Sequence, residues 1–171
     1  RFNTYGKYVP KSKADLAFVQ HMVHHMDDDG RIAVLLPHGV LFRGAAEETI
    51  RQYLIEKLNV IDAIIGLPSN LFFGTSIPVC VIVCKKNRNG NSGNILFIDA
   101  SKEFQSGKNQ NVLTDEGIQK ISKAYQDRTD KEKFAHVADM QEIIDNDYNL
   151  NIPRYVDTFE EEKPIDLHAV K

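Results

Sequence analysis

Two adjacent phenylalanines sit in a loop with little else to hold them. The stretch Pro68-Ser69-Asn70-Leu71-Phe72-Phe73-Gly74-Thr75 follows a strand-like segment, residues 60–67, and most of its other members are small or polar. One ring can close the end of a sheet, but Ser69, Asn70, Thr75 and Ser76 give a second ring little to pack on. An aromatic face left over in this way suits stacking on a planar ligand. A second loop, Pro37-His38-Gly39-Val40-Leu41-Phe42-Arg43-Gly44, follows the strand-like residues 31–36. Its glycines have phosphate-loop spacing, yet Ala45-Ala46 stand where a lysine and a serine or threonine would reach phosphate and magnesium. That excludes a nucleoside triphosphate site. What remains is a strand-to-helix turn whose free amides, beside Arg43, suit an anion such as a DNA phosphate.

Other reactive residues have plainer readings. His21 and His25 stand four apart on a helix, but Met22 and Val23 leave no glutamate to make such a pair catalytic, so the histidines read as a solvated face. Asp27-Asp28-Asp29-Gly30 fails as a calcium loop because Leu36 occupies the position of the bidentate glutamate, and it reads as a chain reversal. No serine has a nucleophile-elbow context. Cys80 and Cys84 are the only cysteines. In one extended strand their Cα atoms lie roughly 13 Å apart, too far for a disulfide, so they read as buried reduced thiols.

The elements that must position the two loops follow from periodicity. Residues 14–26 place Ala14, Ala17, Phe18, Met22 and Met26 at helical spacing, with Ser12 near the start as a cap. Residues 32–36 form the near-continuous apolar run of an inner parallel strand buried on both faces. Residues 45–58 are helical, with Ile50, Tyr53, Leu54 and Leu58 on one side and Glu47, Glu48, Arg51, Gln52 and Glu56 facing water. The strand at 60–65 is followed by a connection too short for a crossover helix, so residues 78–84 return antiparallel as an edge hairpin. Residues 85–93 read as a mobile loop, 95–99 as a further strand, 115–125 as a helix, and 140–144 as a shorter one.

In an open α/β sheet, ligands bind beyond the carboxyl ends of the parallel strands, where both loops would lie. With 171 residues and 42% hydrophobic content the chain can bury a real core. A net charge of -3 and a pI near 6.1 argue against a free-standing DNA binder. The longest apolar run, residues 77–84, is far short of the ~20 residues that span a bilayer, so a soluble cytoplasmic protein is expected. The opening on Arg1, in a polar and aromatic stretch without clear period, reads as the middle of something larger.

Several of these stretches, in this order, resemble one family. They are residues 14–22, the loop from Leu36 to Gly44, the loop from Ile65 to Thr75, and Phe97-Ile98-Asp99-Ala100-Ser101. Gly107-Lys108-Asn109-Gln110-Asn111 and Asn146-Asp147-Tyr148-Asn149-Leu150-Asn151-Ile152-Pro153-Arg154-Tyr155-Val156 continue the match over essentially the whole chain. The sequence is similar to the modification (M) subunit of type I restriction-modification systems, an adenine-specific DNA methyltransferase.

That resemblance implies a Rossmann-like, doubly wound α/β fold of the class I S-adenosylmethionine-dependent methyltransferases, of which the chain carries the later half. Residues 32–36, 60–65 and 79–84 would be the fifth, sixth and seventh strands. The family's cofactor loop and Asn-Pro-Pro-Phe motif would precede Arg1. The catalytic residues and the main S-adenosylmethionine site would then lie outside this chain, leaving it inactive alone. Phe73 resembles the aromatic that stacks on the flipped adenine, with Phe72 as the alternative. Pro37, His38, Gly39 and Arg43 would form the edge of the base pocket or meet a DNA phosphate. Residues 1–111 would complete the catalytic domain, and 112–171 would be a helical extension and tail, acidic at Glu160 to Glu162, for subunit contacts. The implied partners are DNA, the specificity (S) subunit, a second M subunit and the restriction (R) subunit, with no membrane. Two rivals stand beside this: a non-catalytic assembly module that binds the specificity subunit, and a generic nucleotide-binding α/β domain indifferent to Phe73.

Overall fold

The apolar segments around Ile64 and Phe97 need burial on both faces, and they obtain it at the centre of a five-stranded sheet. The computed structural model describes residues 6–8 and 11–158; Glu160 to Glu162 lie outside them. The elements run α1 (Asp15–His25), β1 (Arg31–Pro37), α2 (Ala46–Gln52) continuing into a π turn (Tyr53–Lys57), β2 (Ile61–Gly66), β3 (Val79–Lys85) and β4 (Asn94–Asp99). After them come β5 (Phe104–Ser106), β6 (Asn111–Leu113), α3 (Asp115–Asp127), β7 (Ala135–Asp139) and α4 (Met140–Asp145). The sheet order is β1-β3-β2-β4-β7, with β2 and β4 parallel and the other neighbours antiparallel. Strands β5 and β6 form a separate hairpin.

Two apolar layers close on this sheet. On one side Leu16, Val19 and Val23 of α1 and Ile50 and Leu54 after β1 pack with Ile64, Ile82 and Phe97. On the other, Ala124, Ile121 and Tyr125 of α3 cover Ala63, Ile65, Leu96 and Ile98. The segment from residue 112 onward, expected as a helical extension, also supplies β7 and places Ile143, Leu150, Ile152, Tyr155 and Val156 in the first layer. Phe97 stacks on Tyr155 with ring centroids 3.8 Å apart.

Several expectations are corrected. Strand β1 is not an inner parallel strand buried on both faces. Among the described residues it pairs with β3 alone, antiparallel, and Leu35 is 44% exposed. Strand β3 returns antiparallel to β2 as expected, but it slots between β1 and β2 instead of forming the edge. Helix α1 buries Leu16, Val19, Gln20 and Val23 and leaves Phe18 exposed, a face rotated from the one periodicity selected. Ala14, not Ser12, stands at its N-cap, with no side-chain cap bond. In α2, Glu47 and Arg51 are buried whereas Leu58 at the end of the π turn is half-exposed, since the extra residue per turn rotates the later positions.

The loop after β3, expected to be mobile, is tied down by Arg88. That side chain reaches the wholly buried carboxylate of Asp62, which also meets Lys85 Nζ at 3.1 Å and Arg128 Nη1 at 3.3 Å. Tyr125 donates its hydroxyl to Asp62 at 2.6 Å, and Arg88 donates to the Asn94 carbonyl and to Asn59 Oδ1. One carboxylate thereby joins β2, β3, β4 and the end of α3. Burial pushes its pKa up, but the Tyr125 hydrogen bond, Arg128 and Lys85 overcome that and hold it below the ordinary aspartate value.

Replacing Asp62 with alanine leaves the three cations buried and uncompensated, and should cost about 3–5 kcal/mol in a denaturant titration. Because the folded pKa is depressed, the carboxylate's stabilisation is present above about pH 4 and is lost as pH falls through the folded value. Asp62→Asn should therefore flatten the acid limb of the stability profile. Burial also raises both thiols, Cys80 and Cys84, to about 12. Neither should react with a thiol-directed alkylating reagent at neutral pH until the chain is unfolded.

Candidate functional site

Since β1 and β2 are each antiparallel to β3, they run parallel to one another, and β4 runs parallel to β2. The carboxyl ends of all three strands therefore open on one edge. There a recess of about 350 Å³ is lined by His38 after β1, by Gly66, Leu67 and Ser69 after β2, and by Asp99 and Ser101 after β4. Pro78 before β3 and Asn151, Ile152 and Pro153 from the last turn complete it.

Each wall is held by a specific contact. The His38 Nε2–H donates to the Val79 carbonyl at 2.9 Å, which assigns the tautomer, because a carbonyl can only accept. Asp99 Oδ1 accepts the Ser101 amide at 2.9 Å, shaping the turn after β4. Gly66 packs closely against the last turn: a Cβ there would lie 2.7 Å from Ile152 Cδ1 and would push that side-chain end aside. Asp99, Ser101 and Asn151 were not singled out from sequence as site residues. The polar pair directly following the apolar run 95–98 was the available signal.

The loop after β1 is built around Arg51. Its buried guanidinium donates to the carbonyls of Arg43 at 2.6 Å, Val40 at 3.1 Å and Tyr148 at 3.2 Å. Burial lowers its pKa, with Glu48 and Glu47 pulling the other way. The Leu150 amide donates to the Leu41 carbonyl at 2.9 Å, so residues 146–150 brace the same loop. Arg43, read from sequence beside an anion, pairs with Glu47 at 3.3 Å and Asp15 at 3.9 Å, and its guanidinium lies across Gly39. Helix α2 carries Glu47 and Glu48 in its first turn.

The loop after β2 presents both phenylalanines. Phe73 is 89% exposed and Phe72 41%, so the Phe73 ring is not spent closing the sheet. Phe73 and Gly74 occupy the centre of a turn closed by the Thr75 amide on the Phe72 carbonyl at 3.4 Å. Gly74 has φ +75°, the left-handed value that the third turn position favours for glycine. Phe73 therefore stands at the corner of the turn. His21 and His25 face each other on α1 with centroids 4.4 Å apart, and among the described residues no cluster could hold a metal ion.

Arg51→Met should orphan three carbonyls around the loop after β1. At about 1–3 kcal/mol for each buried group left unsatisfied, a loss of several kcal/mol is expected in a denaturant titration.

Known proteins resemble the chain throughout. The model of the N-6 DNA methylase family matches residues 1–164. The type I restriction enzyme MpnII methylase subunit of Mycoplasma pneumoniae is 38% identical over 170 residues, covering 99% of this chain and 31% of its own length. The MjaVII methylase subunit of Methanocaldococcus jannaschii is 41% identical over 172 residues, covering 97% of this chain and 29% of its own. The chain thus spans about a third of the length of these curated relatives. Among solved structures, a type I restriction-modification methyltransferase subunit from Streptococcus thermophilus superposes with a TM-score of 0.87 at 58% identity, covering 91% of this chain and 33% of that one.

Proposed function

The chain belongs to the N-6 DNA methylase family, and from that premise we propose that it forms the later part of a type I modification subunit. Such a subunit methylates the exocyclic amine of an adenine turned out of the duplex. The chain's role is to hold that base. The observation that carries this is Phe73, a ring 89% exposed at the corner of a turn on the ligand-facing edge, with no packing duty of its own.

Adenine's amine is a poor nucleophile, so orientation of the extruded base does much of the work. Phe73 supplies a face for the purine, with Phe72 as the alternative. His38 lines the recess beside it, Pro37 and Gly39 would flank that edge of the pocket, and Arg43 braces the same loop through its pairs with Glu47 and Asp15. S-adenosylmethionine would supply the methyl group. No Asn-Pro-Pro sequence occurs in the chain. In this reading the amine-orienting and cofactor-holding groups would come from the parts of the subunit outside this chain. The edge of β1 that has no partner strand among the described residues, with Leu35 exposed beside it, is where those parts would join the sheet. The proposed assembly includes a specificity subunit, a second modification subunit and a restriction subunit, acting on DNA in the cytoplasm. Among the described residues no helix is long and apolar enough to cross a membrane.

In the full-length subunit, Phe73→Ala should lower kcat/KM for methyl transfer to unmodified DNA about tenfold, in line with about 1–3 kcal/mol for one stacked base. The melting temperature should barely move, as expected for an exposed side chain. A variant with wild-type turnover would remove the stacking assignment.

A further inference from the structure

The exposure of Phe73 raises the question of what aims it. A ring without packing neighbours takes its direction from its backbone, and the loop's internal bonds between main-chain groups are long, the Thr75 hydroxyl accepting the Ile77 amide at 3.1 Å beyond the ring. The Asn70 amide reaches the Ser76 carbonyl at 3.4 Å, and the Thr75 amide reaches the Phe72 carbonyl at 3.4 Å. The tighter restraints come from outside the loop. The Asn111 amide donates to the Asn70 carbonyl at 2.7 Å, and Asn111 Nδ2 donates to the Ser69 carbonyl at 2.9 Å. Gln110 Nε2 adds a longer bond of 3.4 Å to the Leu71 carbonyl. Three successive carbonyls directly before Phe72 are thus held by two adjacent residues.

Those two residues stand in β5–β6, a hairpin outside the main sheet whose first strand is exposed along its length. Its turn is closed by the Gly107 amide on the Gln110 carbonyl at 3.1 Å, and a Cβ at Gly107 would lie 2.4 Å from that oxygen. Only glycine lets the turn close tightly enough to bring Asn111 over the loop. Gln110 Oε1 is buried with no partner among the described residues, so its amide serves as a donor alone and Asn111 is the principal clamp.

We propose that the Asn111 side chain, through its Nδ2 bond to the Ser69 carbonyl and assisted by Gln110, is a positioning group that fixes the loop so that the Phe73 ring is preorganised for the extruded base, over and above the main-chain bond to Asn70 that any residue but proline would keep. This rests on the reading of Phe73 as the stacking wall. Preorganisation removes the ordering cost that a free loop would meet on each binding event.

The test is a double-mutant cycle in the full-length subunit assembled for methyl transfer, with unmodified DNA as substrate. Phe73→Ala should lower kcat/KM about tenfold and Asn111→Ala about fivefold. The double variant should fall about tenfold rather than about fiftyfold, because a clamp has no effect once the ring it aims is gone. Asn111→Asp, which keeps the size but sets a carboxylate against the Ser69 carbonyl, should behave like Asn111→Ala. A 2-aminopurine at the methylated position should show a weaker fluorescence rise in Asn111→Ala than in wild type. Amide exchange at residues 70–76 should quicken while exchange in β2 and β4 stays as it was, which distinguishes a freed loop from a misfolded subunit. Multiplicative losses in the cycle, or normal turnover of Asn111→Ala beside an impaired Phe73→Ala, would overturn the clamp alone. Normal turnover of Phe73→Ala would overturn the stacking reading and the clamp with it.

Discussion

The structure depends on where β3 lies. An antiparallel strand placed between β1 and β2 forces those two to run in the same direction, so their carboxyl ends, and the loops that leave them, open on one edge of the sheet. Had β3 stayed outside as an edge hairpin, β1 and β2 would have been direct neighbours and the two loops would have lain a strand closer together. The inserted strand sets the width of the recess between His38 and Ser69, and its first residues, Pro78 and Val79, supply a wall and the acceptor for His38. Register then follows from alternation: Cys80, Ile82 and Cys84 point into one apolar layer while Val81 and Val83 face the other side.

Around that sheet, polar groups do what apolar packing cannot. Burial of apolar area is nondirectional and tolerates small slides, whereas a buried donor or acceptor has a narrow geometry and is expensive to leave unmatched. Asp62 uses that property at one end of the sheet to join β2, β3, β4 and α3. Arg51 uses it at the other end to hold the loop after β1 through three carbonyls. Asn111 holds the loop after β2 in the same way. The rigid parts of the ligand-facing edge are therefore defined by side chains that themselves stand away from the recess.

How much of this was legible differs by element. The apolar runs that became β2, β3 and β4 stand out in the sequence because a strand covered on both faces must be apolar throughout. The segments that became β5, β6 and β7 carry no such run: they are short, and the first two are partly or wholly exposed. Helix α1 carries two apolar stripes, one with Phe18 and Met22 and one with Leu16, Val19 and Val23, and periodicity alone does not say which meets the sheet; the second does. Glu47 and Arg51 looked solvated by type, and each is buried because its partners come from segments distant in sequence or one turn away. At the candidate site, the Phe72-Phe73 pair was legible as an anomaly of composition. Asp99, Ser101 and Asn151 were not, since nothing local marks them as neighbours of His38.

Residue type and spacing were enough to place the apolar strands 61–66, 79–85 and 94–99, the proline- and glycine-bearing loops 37–44 and 68–75, and, through several ordered motifs, the family to which the chain belongs. These are properties of residue type and spacing, and they survive without knowledge of what touches what. Tertiary structure alone decided the order of the strands, the pairing of Arg43 within the chain, the burial of Asp62 among three cations, and the seat of Asn111 against residues 69 and 70. Apart from the Arg43–Glu47 pair, which stands one helical turn apart, each is a contact between groups tens of residues apart, settled by the packing of the whole sheet rather than by any local pattern.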